Sequence, residues 1–533
     1  MKKIILLTAF MLGNFALAVA QNSVSGSITD DSGEPLVGVN IVEKGTTNGT
    51  TTDFDGNYQI SVMDNATLVF SYIGYDTKEE IVSGKSVINV TLSGGMMLDE
   101  VQLVGSRSPK RTSTDTAVPV DVIDIAEVST QTGRVEVNEL LQYAAPSFNA
   151  NKQSGSDGAD HIDPATLRGL GPDQTLVLIN GKRRHQSSLI NIFGTRGRGN
   201  TGTDLNAIPS SAIKRIEILR DGAAAQYGSD AIAGVINIVL KNQTDKVSGF
   251  INYGAYNTNA KGDFPSGTPN TDGNRLDTEK DGNAIGSDKS FDGGSLKAGV
   301  NFGAAIGNDG GFVNVTTEYI SKNKTLRPGF DFRRGFGEAA IDGFNLMLNA
   351  SVPLSDNSEL YAFGGRNYRD TDAYAFTRNG GNRVIPSIYP NGFTPRITSN
   401  IIDNSFSAGF RTELDNGWKL DISNTYGKNN FHYFIKGTLN ASLEDVSPTD
   451  FDAGGHSLTQ NTVNLDFSKY YEDVLEGMNL AFGAEYRTEN FIIFSGEEGS
   501  WGQPDPAHRS GFGRSTSWGL SRFSWIQSQE RSG

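Results

Sequence analysis

The residue types that usually carry chemistry give little sign of a catalytic site in this sequence. The five histidines stand at positions 161, 185, 432, 456 and 508, without the short spacings at which histidines bind a metal ion. Asp53, Asp55 and Asn57 alternate as in part of a calcium loop, but the remaining ligand positions are missing. We therefore interpret this stretch as a plain turn, with a calcium loop as the less favoured alternative.

Motifs for phosphate binding and nucleophilic catalysis are also missing. Gly169-Leu170-Gly171 lacks the third glycine of a dinucleotide-binding loop, and no P-loop or HExxH pattern occurs. The serines lack the context of a nucleophile elbow, and the chain has no cysteine. The sequence thus predicts no catalytic residue, no cofactor and no bound metal, so we do not interpret the protein as an enzyme.

Length, charge and the N-terminal sequence indicate further which class of protein this is. The chain has 533 residues, enough for several domains, and a net charge of −15, which argues against a nucleic-acid partner. Residues 1–20 combine Lys2-Lys3, an apolar run and the ending Ala18-Val19-Ala20, which is typical of a secretory signal. We expect an exported protein that begins at Gln21. No later apolar run is long enough for a transmembrane helix.

Short alternating strands separated by turn signals predict a mainly β chain, and residues 21–93 form its first domain. The regular spacing of these strands favours a small N-terminal β-sandwich. The run GEPLVGVNIVEKGTTNGTTTDFDGNYQI and the later FSYIGY resemble the carboxypeptidase regulatory-like domain, which does not by itself imply peptidase activity. The predicted strands are Val24–Ile28, Val37–Val42, Tyr58–Val62, Leu68–Tyr72 and Val87–Leu92.

Residues 204–241 predict a compact α/β unit around which the chain is organised. Pro209 suits the start of a short helical turn. Lys214–Arg220 alternates as a half-buried strand, with its isoleucines on one face and Glu217 on the other. Val235–Leu240 is so apolar and β-branched that we expect a strand buried on both faces. Further upstream we predict a strand at Val120–Ile125, a helix at Val135–Tyr143 and a buried strand at Thr175–Ile179.

The sequence of this unit resembles the end of the plug domain of TonB-dependent outer-membrane receptors. The matching text is LNAIP…IKRIEILRDGAAAQYGSDAIAGVINIVLK, with further matches at LRGL (167–170) and TLVLINGKR (175–183). The resemblance implies an α/β plug at residues 117–242, and its motif falls on Arg168, Gly169, Asn180, Gly181, Glu217, Arg220, Gly228 and Gly234.

Residues 94–116 are polar and interrupted by glycine and proline, which predicts a linker. Within the linker, Leu98–Val104 is a short segment that could form a strand. Its place before the plug resembles a TonB box, so we expect a TonB-type periplasmic energy transducer to contact Asp99, Glu100, Val101, Gln102 and Leu103. Such an extended peptide can add to the sheet of a partner. The alternative is that the segment is the first strand of the plug.

Residues 243–533 alternate between polar and apolar residues and predict part of an antiparallel transmembrane β-barrel. Long gaps alternate with short ones, as extracellular loops alternate with periplasmic turns in such barrels. Barrels that hold a plug have about 22 strands. Since about nine are visible, we expect a C-terminally truncated chain with an incomplete barrel. The predicted strands lie near 246–257, 293–306, 311–322, 343–353, 358–369, 401–413, 418–428, 458–470 and 478–490.

Lys182-Arg183-Arg184 and Arg196-Gly197-Arg198 are basic clusters in an acidic chain. We consider three interpretations: they face an anionic ligand, they face an acidic inner side of the barrel, or they are solvated loops.

The resemblance implies a receptor in the outer membrane, in contact with its lipid and with its N-terminal domain in the periplasm. Such a receptor imports a scarce large solute past the plug, a ferric siderophore, a corrinoid or an oligosaccharide, each of small-to-medium size as a ligand. The substrate-binding residues are unknown at this stage. The alternative function is surface binding or adhesion without active transport.

Overall fold

The computed structural model describes residues 21–92, 120–260, 289–325, 337–378 and 384–502, with short gaps at 31–32, 47, 64, 73–74, 76–77, 135, 151, 193–196, 224–226, 229, 245, 308–309, 391, 472–473 and 475–476. The predicted signal sequence, the 94–116 linker and the end of the chain lie outside the described residues. The chain divides into two compact units, Met1–Gln102 and Leu103–Gly533.

The first unit is a β-sandwich, as the spacing of its strands predicts. Its strands are β1 (Gln21–Thr29), β2 (Asn40–Glu43), β3 (Gly49–Thr51), β4 (Asn57–Met63), β5 (Thr67–Ser71), β6 (Lys78–Ile81) and β7 (Val90–Thr91). One sheet has the order β4-β1-β7 and the other β3-β2-β5-β6. Every second residue of β4 is buried, and Tyr58 of β4 packs edge-on against Phe70 of the other sheet.

Two strands of the sandwich are shorter than predicted. Strand β2 begins at Asn40 because Val37 and Gly38 form a turn, in which Gly38 has a φ of 78°. Strand β7 has two residues, and Val87 before it forms only an isolated bridge to Ser25.

The candidate calcium loop forms a turn in the structure. Asp53 Oδ1 accepts hydrogen bonds from the backbone N–H groups of Asp55, at 3.0 Å, and of Asn57, at 2.8 Å. This is the usual way in which an aspartate stabilises a tight turn. One oxygen of the Asp53 carboxylate is therefore engaged by the backbone of its own turn.

The plug contains a five-stranded mixed sheet. Its strands are β8 (Val120–Ile123), β9 (Phe148–Asn149), β10 (Thr166–Leu167), β11 (Thr175–Ile179), β12 (Lys182–Arg183), β13 (Ile213–Leu219) and β14 (Gly234–Leu240). The sheet has the order β12-β11-β14-β13-β8, while β9 and β10 pair separately. Only β11 and β14 are parallel. The helices are α1 (Ile125–Thr132), α2 (Val137–Ala144) and α3 (Ala159–Ile162), and the predicted turn after Pro209 is a 3-10 turn at Ser210–Ala212.

Two expectations for the plug need correction, and a third is confirmed. The predicted strand at Val120–Ile125 ends at Ile123, because Asp124 caps α1 by accepting the backbone N–H groups of Ala126 and Glu127. Glu217 is fully buried, so β13 is covered on both faces and is not a half-buried strand. The buried strand β14 is confirmed, although Val239 within it is only half-buried.

The region after the plug is one antiparallel sheet of nine strands in sequence order. They are β15 (Val247–Ala260), β16 (Lys289–Ile306), β17 (Gly311–Lys322), β18 (Ala340–Ser355), β19 (Ser358–Tyr374), β20 (Arg396–Glu413), β21 (Lys419–Lys436), β22 (Phe451–Tyr471) and β23 (Met478–Ser495). Short turns at 307–310, 356–357, 414–418 and 472–477 alternate with longer connections at 261–288, 323–339, 375–395 and 437–450. A short helix, α4 (Glu498–Trp501), follows β23.

All nine predicted strands are confirmed, and most extend further toward the long connections than predicted. Strand β21, for example, pairs with β20 up to Lys436 and does not end at residue 428. The face of the sheet that contacts the plug, which we call the inner face, is polar and largely buried, whereas the outer face carries exposed apolar side chains. No helix in the part of the chain that the structure describes is long and apolar enough to cross a membrane.

Candidate functional site

The candidate functional site is the contact between the plug and the inner face of the sheet. The basic cluster at 182–184 lies there, in the hairpin that turns at Asn180 and Gly181, both of which have positive φ. Lys182 Nζ lies 3.0 Å from Asp421 Oδ1 of the sheet. Arg184 pairs with Asp403 of the sheet. The acidic inner side of the barrel is thus the correct interpretation for these two residues.

The other basic residues differ. Arg183 has partners in both the plug and the sheet: its Nη1 pairs with Asp230 of the plug, at 2.6 Å, its Nη2 donates to the Tyr227 carbonyl, at 3.0 Å, and its Nε lies 3.8 Å from Glu485 of β23. Arg198 is exposed, which fits a solvated loop, and Arg196 lies outside the described residues. The two clusters therefore do not form one basic surface.

Asp403 is the centre of the first of three polar nodes that join plug and sheet. Besides Arg184, it accepts from His185 Nε2, at 2.9 Å, and from Asn429 Nδ2, at 3.1 Å. Burial lowers the pKa of His185, so the ring is neutral and donates its Nε2 proton to the carboxylate. Asn429 Oδ1 in turn accepts from the Ser188 backbone and hydroxyl.

A glycine and a second ion pair complete this node, and in this pair the sheet supplies the cation and the plug the anion. Gly427 of the sheet leaves room for the His185 ring, since a Cβ at Gly427 would lie 2.1 Å from His185 Nδ1. Arg369 of the sheet pairs with Asp204 of the plug, so the direction of charge is opposite to that of Arg184 and Asp403. Burial raises the pKa of Asp204, although Arg369 opposes this effect.

The second node joins α2 to the ends of β17 and β18. Lys152 Nζ lies 2.6 Å from Glu136 and 2.8 Å from Asp163, and Lys322 Nζ of the sheet lies 3.1 Å from the same Glu136 oxygen and 2.6 Å from Glu338. With Glu139 nearby, four carboxylates face two ammonium groups.

The pKa values in the second node follow from burial and from these charges. Burial opposes the charge on Lys152, but Asp163, Glu136 and Glu139 outweigh it and raise the pKa of Lys152 well above its usual value. Burial alone would raise the pKa of Glu136, but Lys152 and Lys322 hold this pKa well below its usual range. Burial raises the pKa of Asp163 to about 6, because Lys152 does not fully compensate for it.

The third node lies where the Ser210–Ala212 turn meets β16 and β17. Glu318 accepts from the Ser211 backbone N–H, at 3.2 Å, and from its hydroxyl, at 2.8 Å. Lys297 Nζ lies 2.7 Å from Glu318 and 2.9 Å from Ser210 Oγ. The plug is therefore held to the sheet at these three nodes, in addition to single contacts such as those of Lys182 with Asp421 and of Asn180 with Asn349.

The predicted motif residues form two groups inside the plug. In the first group, Glu217 accepts from Asn237 Nδ2, at 3.0 Å, and from Arg215, at 2.8 Å, while Asn237 Oδ1 accepts from the Gly181 backbone N–H, at 3.0 Å. Asn180 joins this group to the sheet, because its side chain donates to Asn349 of β18, at 3.1 Å.

The second group lies at the other end of the plug sheet. Arg168 pairs with Asp221, at 3.4 Å, and Arg220 pairs with Asp121, at 2.9 Å. Gly169 and Gly234 have positive φ, and a Cβ at Gly234 would lie 2.3 Å from the Leu219 carbonyl oxygen. Gly228 lies apart from both groups, where a Cβ would come within 3.4 Å of Arg183 Nη2. These residues shape the plug and do not converge on one site.

The predicted partner contact at Asp99, Glu100, Val101, Gln102 and Leu103 lies outside the described residues. Sequence reasoning missed Glu136, Lys152, Asp163 and Asp204 of the plug. It had a usable signal for Lys297, Glu318 and Asp403, because polar residues alternate with apolar ones along the sheet strands.

Comparison with known proteins supports the assignment of both regions. Residues 112–235 match the TonB-dependent Receptor Plug Domain family, and residues 24–103 match the CarboxypepD_reg-like domain family. The chain is thus a homologue of TonB-dependent receptors and carries their plug domain. In this chain the three nodes join the plug domain to the nine-stranded antiparallel sheet.

The relatives match different parts of this chain. TonB-dependent receptor P39 of Formosa agariphila is 32% identical over 241 residues, which are 44% of this chain and 21% of the relative. Ferric enterobactin receptor PirA of Pseudomonas aeruginosa is 37% identical over 118 residues, 22% of this chain and 16% of the relative. A solved structure of a ferric enterobactin receptor mutant of the same organism, in complex with enterobactin, has a TM-score of 0.49 at 18% identity, and covers 71% of this chain and 50% of that chain. The chain thus spans at most half the length of each of these proteins.

Proposed function

We propose that this TonB-dependent receptor is an active transporter of the outer membrane that imports a scarce large solute past its plug. The observation that carries the proposal is the polar docking of the plug on the inner face of the barrel. Three nodes of buried ion pairs and hydrogen bonds hold the plug, centred on Asp403, Glu136 and Glu318.

Polar docking suits a plug that must be held firmly and still be displaced. A hydrogen bond contributes only about 0.5–1.5 kcal/mol net, because water replaces the lost partner once the contact opens. An apolar contact would instead cost about 25 cal/mol for each Å² of surface that its opening exposes to water. The main apolar core, which includes Leu140, Leu141, Ile236 and Ile238, lies largely within the plug and would stay covered during such a movement.

The force on the plug would come from a TonB-type periplasmic energy transducer. It would take Asp99–Leu103 as an added strand, so that several backbone hydrogen bonds share the load. Among the candidate solutes, a ferric siderophore has the support of a relative, since PirA is named a ferric enterobactin receptor. A corrinoid and an oligosaccharide are the other candidates.

Two substitutions in a full-length version test the proposal. Leu103→Pro removes a backbone donor and fixes φ, so it disrupts the added strand. Gln102→Ala keeps the backbone and serves as the matched control. We expect Leu103→Pro to bind solute normally but fail to import it, while Gln102→Ala imports, as measured by growth on the limiting nutrient and by uptake.

Two results would contradict the proposal. Import by Leu103→Pro at the unaltered rate would exclude energy coupling through this segment. Solute binding without measurable import by the unaltered protein would favour the alternative, surface binding or adhesion without transport.

A further inference from the structure

A row of polar residues crosses the outer face of the sheet, directly behind the Asp403 node. Successive residues of a strand point to opposite faces. Asn367, Asp403 and Asn429 are buried on the inner face. Their neighbours in the chain, Arg366, Asn404 and Lys428, therefore lie on the outer face.

The register of the strands brings these three residues side by side. Arg366 of β19 is directly opposite Asn404 of β20, and Asn404 is directly opposite Lys428 of β21. Arg366 Nη1 donates to Asn404 Oδ1, at 3.3 Å. Since neighbouring strands are about 4.8 Å apart, the two cationic residues lie on backbones roughly 10 Å apart with an amide between them. We call Arg366, Asn404 and Lys428 the basic row.

The surroundings of the basic row place it at the edge of an apolar band. Toward the short turns, the outer face carries an apolar row, formed by Leu360, Phe410, Ile422 and Leu465. Between the two rows, Asn424 and Asn461 satisfy each other through a hydrogen bond of 2.9 Å. Tyr368 and Tyr426 flank the basic row on either side. Aromatic residues at this level are typical of the boundary between lipid chains and headgroups.

The cations of the basic row have no partner that neutralises them among the described residues. No ion pair of the described part of the chain includes Arg366 or Lys428. The closest acidic candidate along β19, Asp370, is held by the Tyr368 hydroxyl, at 2.9 Å, and by Asn400. Cations on a lipid-facing surface are costly unless a counter-charge is present.

We propose that the basic row binds the phosphate of an outer-leaflet lipid, an inference that rests on the proposed outer-membrane function. The planar Arg366 guanidinium matches two phosphate oxygens, and Lys428 supplies a point charge from the other side. Asn404 accepts from Arg366 and keeps its amide N–H groups for a third oxygen. The flanking tyrosines contact the boundary of the lipid chains.

The test uses the full-length protein in nanodiscs of neutral phosphatidylcholine with a minor fraction of lipid A, which carries phosphates. Native mass spectrometry after transfer to detergent counts the lipid A that stays bound. We expect the unaltered protein to retain lipid A, and to retain little of its dephosphorylated form. Loss of affinity should be about fivefold for each cation removed, so on the order of 25-fold for Arg366→Gln with Lys428→Gln.

Two controls keep the proposal open to refutation. Lys436→Gln removes a charge from the same strand, eight residues nearer the long connection, and should retain lipid A like the unaltered protein. Arg366→Lys keeps the charge and should retain most of the lipid. Equal retention by the double variant, an equal loss with Lys436→Gln, or equally tight binding of free inorganic phosphate would each overturn the proposal.

The lipid result and the transport result are separable. The basic row lies on the outer face and makes no contact with the plug nodes, so the double variant is expected to import normally. If the unaltered protein imports solute but retains lipid A no better than its dephosphorylated form, only the lipid site is refuted. Lipid retention without import would contradict only the proposed transport.

Discussion

Glu136→Gln is the substitution that tests the docking of the plug most sharply. The Glu136 side chain is 4% exposed and lies between two ammonium groups, Lys152 of the plug at 2.6 Å and Lys322 of the sheet at 3.1 Å. Glutamine keeps the size of the side chain and an oxygen that can accept from Asn206. It removes the negative charge that holds both lysines.

The magnitude follows from what remains around the two lysines. Removal of one partner of a buried ion pair costs about 3–5 kcal/mol. Lys152 keeps Asp163, at 2.8 Å, and Lys322 keeps Glu338, at 2.6 Å. We therefore expect the lower end of the range, about 3 kcal/mol, which corresponds to a roughly 100-fold rise in the undocked fraction.

Glu139→Gln is the matched control, because it removes the same charge three residues further along, in the first turn of the helix that Glu136 precedes. Glu139 lies 3.6 Å from Lys152 and 3.9 Å from Lys322, too far for a hydrogen bond, so we expect a loss of about 1 kcal/mol or less. The assay is a urea titration of the full-length protein in a bilayer, in which a pulse of protease cuts only an undocked plug. Equal midpoints for the two variants, or an unchanged midpoint for Glu136→Gln, would refute the role of Glu136 as a shared anchor.

Three further predictions concern buried groups of the plug and its contact with the sheet. Burial raises the pKa of Asp163 to about 6, above an unfolded value of about 3.9, so the docked plug takes up a proton and gains stability as pH falls from 7 to 5. The urea midpoint of the unaltered protein should therefore rise over this window relative to that of Asp163→Asn. Gly427→Ala places a Cβ 2.1 Å from His185 Nδ1 and should cost about 1–3 kcal/mol, seen as faster protease cleavage of the plug. Glu217→Ala strips Asn237 of a buried acceptor and should lower the free energy of unfolding by about 3–5 kcal/mol, seen as a lower urea midpoint, whereas an unchanged midpoint would mean that this network is dispensable.

Sequence reasoning predicted the sheet well, because the determinants of strands are local. Alternation and turn signals such as Asp415-Asn416-Gly417 fix where a strand can run, and the structure confirms all nine strands. The predicted strands stop short of the long connections. Pairing between neighbours such as β20 and β21 continues there, although the alternation within a single strand is no longer clear.

The plug nodes could not be predicted in the same way, because their partners are distant in sequence. Glu136 and Lys322 are 186 residues apart, and only docking brings them to 3.1 Å. The burial of Glu217 was missed for a related reason. Its alternation with isoleucines predicts an exposed face, yet Asn237 and Arg215 satisfy its carboxylate inside the plug.

The most direct test of transport past the plug is a disulfide that locks the plug to the sheet. The chain has no native cysteine, so an introduced pair has no competing thiol. A Cβ at Gly299 of β16 would lie 3.0 Å from Ser211 Oγ of the plug, close enough for a sulfur–sulfur bond of about 2 Å once the Phe250 ring, 2.7 Å from that Cβ, shifts aside.

The measurement is solute uptake by cells that express the full-length Ser211→Cys, Gly299→Cys protein, with each single cysteine variant as a control. If the plug must move for import, the oxidised pair binds solute but imports at background level, and a reductant restores uptake to that of the single variants. Uptake by the oxidised, fully cross-linked pair at the rate of the single variants would contradict import through displacement of the plug.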